Sequence, residues 1–178
     1  MTRGGIAKGR CSAVQSATTT GARRPRQSPP ARWRFPVRTL HAVDIENLTA
    51  AGIPTLRQVK AVQRNYAARL GLHADDQVVM AASHLGLLNA ARGWPHARYL
   101  VRSGHNGADM ELLDVLLHED VAARFTHVVI GSGDGLFYRA VEGLAKSGVW
   151  VTVVSRPGSL SSSLASVARD VIYLSAAA

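Results

Sequence analysis

His127-Val128-Val129-Ile130-Gly131-Ser132-Gly133-Asp134-Gly135-Leu136-Phe137 is the stretch on which the reading of this chain turns. Val128-Val129-Ile130 is short, apolar and β-branched, which predicts a buried strand over Thr126–Ile130. It stops at a glycine-rich turn, and from Gly135 to Lys146 the apolar residues recur at helical spacing. A strand–turn–helix junction presents its polar residues at the carboxyl edge of a parallel sheet, where open α/β folds bind ligands. Asp134 is the carboxylate of this junction. Asp44 and Asp109 stand at comparable junctions earlier in the chain.

Working outward, strand-like and helix-like segments alternate from about residue 39. Strands are predicted at Thr39–Asp44, Gln77–Ala81, Arg98–Val101, Val149–Val154 and Val171–Leu174, the last at a sheet edge. Helices are predicted at Pro54–Leu70, Leu85–Arg92 and Ala108–Ala123, with a weaker one at Ser159–Ala168. Leu56, Val59, Val62, Tyr66 and Leu70 share one face of the first helix, and Gly71 is placed to end it. Leu112, Val115, Leu116 and Val121 are the core contacts expected of the third. Such alternation predicts an α/β fold: a three-layer sandwich with a mainly parallel sheet between two helical layers.

A chain of 178 residues suffices for one such domain. The net charge of +9 is unevenly placed. Nine of the 21 Lys and Arg residues lie in residues 1–38, which hold none of the 12 acids, so the rest of the chain is neutral. Residues 1–37 therefore read as a basic tail, rich in Gly, Ser, Thr, Pro and Arg and expected to be disordered; the domain is residues 38–178. Three readings of the tail stay open: a nucleic-acid-binding arm, an organellar targeting segment, or an upstream extension without a role. No apolar run is long enough to span a bilayer. The single cysteine, Cys11, excludes an intramolecular disulfide and fits a reducing, cytoplasmic setting.

Three carboxylates at neighbouring strand ends repel one another unless a cation neutralises them. Hard oxygen ligands favour Mg²⁺ or Mn²⁺. Each acid also has a structural reading. Asp134 is placed to cap the following helix, and Asp109 to offset a helix dipole. Asp44 ends an apolar, central strand, where an unpartnered charge is costly. Asp114, about 140° around the helix from Asp109, is a further metal-ligand candidate or a solvated charge. Glu46 shares the side of Asp44 if the first strand continues, and is otherwise a surface residue. Asn47, Ser132, Arg102 and Arg156 are candidate substrate contacts, Asn47 being equally placed as a helix cap. His84, His105 and His127 show no metal-ligand spacing. A dinucleotide fingerprint fails because Leu136 stands in place of its third glycine.

Asp44-Ile45-Glu46-Asn47, Gly107-Ala108-Asp109 and Ser132-Gly133-Asp134, in this order and spacing, resemble the NYN domain of the PIN-like nuclease superfamily. Val151 to Arg156, with the serine-rich helix and closing strand after it, resemble the C-terminal part of that family. The resemblance covers roughly residues 38–175 and implies a Rossmann-like α/β/α sandwich. It also implies metal-dependent hydrolysis of RNA, single-stranded or structured, with Asp44, Asp109 and Asp134 as catalytic metal ligands and Mg²⁺ or Mn²⁺ as cofactor. Asn47 and Ser132 match the accompanying polar positions. Family members typically carry a second acid two residues after the one matching Asp134, and here that position is Leu136. The departure sets a second expectation beside the first: an NYN-fold module that binds RNA or protein without catalysis. A third is hydrolysis of small phosphate esters by the same acids. No membrane partner is expected, and a homodimer stays open.

Overall fold

The strand that ends at Asp44, β1 (Thr39–Asp44), is buried along its whole length, as an interior strand of a parallel sheet has to be. The computed structural model describes Met1 and residues 38–174. The expected basic tail lies outside the described residues, Met1 apart.

Six parallel strands run in the order β3-β2-β1-β4-β5-β6. After β1 come β2 (Gln77–Ala82), β3 (Arg98–Val101), β4 (His127–Gly131), β5 (Trp150–Ser155) and β6 (Asp170–Tyr173). The strand order reverses once, between β1 and β4. An open sheet leaves a crevice beyond the carboxyl ends of the strands at that point.

Alternating side chains divide the core into two layers. Leu40, Ala42, Val79, Ala81, Val128 and Ile130 pack beneath α4 (Gly107–His118), α5 (Val121–Arg124), α6 (Tyr138–Lys146) and α7 (Ser162–Val167). Val43, Met80, Ala82 and Val129 pack against α1 (Ile45–Thr49), α2 (Leu56–Leu70) and α3 (Leu87–Gly93). The sandwich is thus three-layered and its sheet wholly parallel. Asp44 follows Leu40 and Ala42 in the period-two register of β1, which assigns it to the α4 face. Among the described residues, no helix is long and apolar enough to cross a membrane.

Several elements differ from expectation. β1 stops at Asp44, and the short helix α1 begins at once, so Glu46 is helical and not part of a continuing strand. The single helix expected over Ala108–Ala123 is broken: α4 ends at His118, and Asp120 takes a left-handed conformation, φ 50°, before α5. Aspartate is among the few residues that adopt that region readily. The helix after Asp134 opens as one 3₁₀ turn, Gly135–Phe137, before α6. At α2 the capping box of Thr55 and Gln58 starts the helix and Gly71, at φ 62°, ends it.

Candidate active site

Asp44 terminates β1 and caps α1 with the same side chain. Its Oδ1 accepts the N–H groups of Glu46 at 3.1 Å and Asn47 at 3.0 Å, satisfying donors that the first helical turn leaves free. Its Oδ2 accepts the Ser132 hydroxyl at 3.5 Å, across the switch point from β4. Ser132 is fully buried, and its Oγ in turn accepts the Asp134 N–H at 3.2 Å. Asn47 ties the same two loops from the other side, its Oδ1 accepting the Gly133 N–H at 3.1 Å.

α4 brings the second acid. After β3 the chain turns through Gly104, at φ 107°, and Asn106 into α4. The helix packs over β2 and β1 on its way to β4. The start of α4 lies so close to Arg102 that a Cβ on Gly107 would stand 2.4 Å from the Arg102 carbonyl oxygen. That approach carries Asp109, two residues on, to Asp44. Asp44 and Asp109 are 4% and 8% exposed and in side-chain contact. Asp134, after β4, completes the wall.

These residues line one cleft of about 210 Å³, formed by Asp44, Glu46, Asn47, Asp109 and Asp134 with Gly104 and Asn106 of the preceding loop and Gly107 and Ala108 at the start of α4. Burial raises the Asp44 carboxyl from 3.8 to about 7; the Asn47 N–H opposes the rise, and Asp109 and Glu46 add to it. Asp109 is raised as well, by burial first; its hydrogen bond with Asp44 opposes this, while the charges of Asp134 and Glu46 reinforce it. Two buried carboxylates in contact need a shared proton or a cation. Asp109 Oδ1 is buried without a hydrogen-bond partner among the described residues. Such an atom forfeits about 1–3 kcal/mol, more if charged, unless something binds it. Among the described residues, no three His, Cys, Asp or Glu side chains stand together as a ready-made metal cage. The arrangement is a carboxylate pair with two further acids on the same cleft.

The remaining candidates fall in different places. Asp114 is 57% exposed and pairs with His118 at 3.5 Å on the outer side of α4, so the structure does not bring it to the cleft. Five residues from Asp109 on a regular helix, it lies on another face. Arg102 is 51% exposed and 3.7 Å from Glu111, and its side chain does not line the cleft. Arg156 donates from Nε to the Asn47 carbonyl at 2.7 Å and so anchors the end of α1. Asp134 is both cap and cleft residue, its Oδ1 accepting the Leu136 N–H at 2.8 Å. Glu46, which hinged on a strand that does not continue, reaches the cleft from α1. An acid two residues after a capping Asp and one before Asn is a first-turn signal that could have placed it there.

The sequence model of the NYN domain matches residues 13–175. Domains of that family are generally nuclease-like and generally act on RNA, and the nuclease-type members typically depend on a divalent metal. Among solved structures, a protein of unknown function from Vibrio parahaemolyticus RIMD 2210633 is similar, with a TM-score of 0.50 and 18% identity, over 79% of this chain and 94% of that one. At that identity the likeness bears on the fold alone. No curated protein matches the chain.

Proposed function

Because this chain belongs to the NYN domain family, we propose that it is a metal-dependent ribonuclease, hydrolysing RNA phosphodiester bonds in the cleft of Asp44, Asp109 and Asp134. The observation that carries the reading is the buried Asp44–Asp109 pair, one of whose oxygens has no partner among the described residues. A purely structural pair would be expected to have its lone pairs satisfied.

The residues fit Mg²⁺ or Mn²⁺. The donors are hard oxygens, and Mg²⁺ is commonly held by one or two carboxylates while keeping several waters, so no complete protein cage is needed. Asp44 and Asp109 would hold the ion, with Asp134 on the same cleft. Bound there, a divalent cation supplies an activated water and neutralises charge on the phosphodiester. The chain's own residues do the positioning. Ser132 and Asn47 fix Asp44 and the Gly133 turn relative to each other. Arg156 fixes Asn47 in turn. The start of α4 has no side-chain cap and lines the cleft, so its N–H groups and dipole favour a phosphate there.

Leu136, 41% exposed where the family typically has an acid, supports a second reading, an RNA-binding module with a depleted site. One experiment separates them. The full chain is incubated with labelled RNA and Mn²⁺ beside Asp44→Asn and Asp109→Asn. Cleavage by the wild type is expected, falling by on the order of 100-fold in either variant, the scale seen when a charge-stabilising group is removed. Equal cleavage by all three proteins would sink the ribonuclease assignment to these acids. RNA retained uncut by the wild type would establish the second reading.

A further inference from the structure

On its β2 side the cleft carries a carboxylate that belongs neither to the buried Asp44–Asp109 pair nor to the turn after β4. Glu46 is the second residue of α1, and its Oε1 accepts the Ser83 N–H at 2.7 Å, just past the carboxyl end of β2. Gly86 leaves room for that carboxylate: a Cβ there would stand 3.3 Å from Oε1. Glu46 lines the same cleft as Asp44 and Asp109. Its charge reaches both members of the pair. Asp134, by contrast, has Oδ1 engaged in capping the 3₁₀ turn. The unpartnered Asp109 Oδ1 shows that a binder is wanted on this wall.

We propose that Glu46 supplies additional negative charge to the cation site, acting on the ion's water shell. This rests on the metal-dependent reading above. The Ser83 tether explains why Glu46 works through water. Swinging onto the ion would break a backbone hydrogen bond at the end of β2. Held where it is, the carboxylate can accept hydrogen bonds from coordinated waters and orient them. Glu46 is therefore a positioning residue.

The test is a Mn²⁺ titration of the full chain, read by melting temperature and by the electron paramagnetic resonance signal of free Mn²⁺. Wild type, Glu46→Gln and Asp44→Asn are compared. The glutamine keeps an oxygen for the Ser83 N–H and loses only the charge. Glu46→Gln should melt no lower than the wild type in chelator, yet need about 10- to 100-fold more Mn²⁺ for half-saturation, the usual loss when a group supporting a metal's ligands is removed. An unchanged Mn²⁺ midpoint in Glu46→Gln, with a weakened Asp44→Asn, overturns the role of Glu46 and leaves the ribonuclease reading standing. A lower chelator-state melting temperature with an unchanged midpoint makes Glu46 merely structural and overturns it too. No Mn²⁺ response in the wild type itself overturns the cation site, and Glu46 with it.

Discussion

At the scale of single residues, Asp44 sets how protons and cations compete. Its carboxyl is raised from 3.8 to about 7 in the fold. A raised acid binds a proton more tightly folded than unfolded, so the stability it contributes is present at low pH and is lost as pH rises from about 4 to about 7. The cation proposed for the pair would replace that proton. The Mn²⁺-induced rise in melting temperature should accordingly be larger near pH 8 than near pH 5.5, because below pH ~7 the ion has to displace a proton. Thermal melts with and without Mn²⁺ at the two values check this; a larger rise at the acid end would contradict the shift. Leu136 offers the complementary test. Its side chain is exposed, so Leu136→Asp should fold normally and add a carboxylate where the resemblance to the family leads one to expect it. Its Mn²⁺ requirement for RNA cleavage should fall, by roughly tenfold if the new charge acts as other metal-supporting groups do. Asp44, Asp109 and Asp134 could be picked out from sequence because each interrupts an apolar or glycine-rich junction. Glu46 was legible only as a conditional candidate: its local first-turn signal does not reveal the long-range bond to Ser83 that holds it at the cleft.

At the scale of elements, the start of α4 governs the cleft. A methyl at Gly107 would meet the backbone carbonyl of Arg102, and backbone cannot swing aside as a side chain does. Gly107→Ala should therefore displace the helix start and Asp109 with it, destabilising the protein by about 1–3 kcal/mol and raising the Mn²⁺ midpoint. Gly143, in the exposed face of α6, is the contrast: an added Cβ meets nothing within 4 Å. Gly143→Ala should stabilise by about 0.5–1 kcal/mol and leave Mn²⁺ binding unchanged. Urea melts and Mn²⁺ titrations of both variants test the pair. Most strands and long helices were legible, since apolar alternation and helical spacing persist over enough residues to be read. α1 was not: five residues carry no periodicity, and Asp44 read as the end of a strand conceals that it is also a cap. The break at Asp120 was hidden for a related reason. Leu116 and Val121 both belong to the core, so the apolar pattern runs through a backbone that does not.

At the scale of the whole molecule, the carboxyl edge of the sheet carries the acids, while the other edge carries a histidine-centred network. His41 on β1 bonds through Nδ1 to the Tyr66 hydroxyl at 3.0 Å and lies 3.5 Å from Asp76. His127, at the start of β4, bonds the Thr152 hydroxyl at 2.9 Å. Burial, with His41 adding, lowers the His127 ring from 6.5 to about 4. Between those values the unfolded chain takes up a proton that the folded one refuses. Stability is therefore whole above pH ~6.5 and falls as pH drops toward 4, by up to about 3 kcal/mol. Asp76 acts in the same direction: burial raises it, but the His41 hydrogen bond and the His73 N–H outweigh that and leave it lowered. Its contribution is lost as pH falls through the depressed value. His127→Gln, which cannot titrate, should show a flatter decline of melting temperature between about pH 6.5 and 4.5 than the wild type; parallel declines would remove His127 as the cause.

The two oxygens of Asp44 answer to different masters. Oδ1 serves the fold by capping α1, and Oδ2 belongs to the cleft. A lineage that abandoned catalysis would still be under pressure to keep an aspartate or asparagine here, so its survival in a descendant says little about whether chemistry survived. Asp109 has no such second employment for its orphaned oxygen. If the proposed reaction were lost, substitution should be tolerated first at Asp109, while Asp44 persists as a relic of architecture.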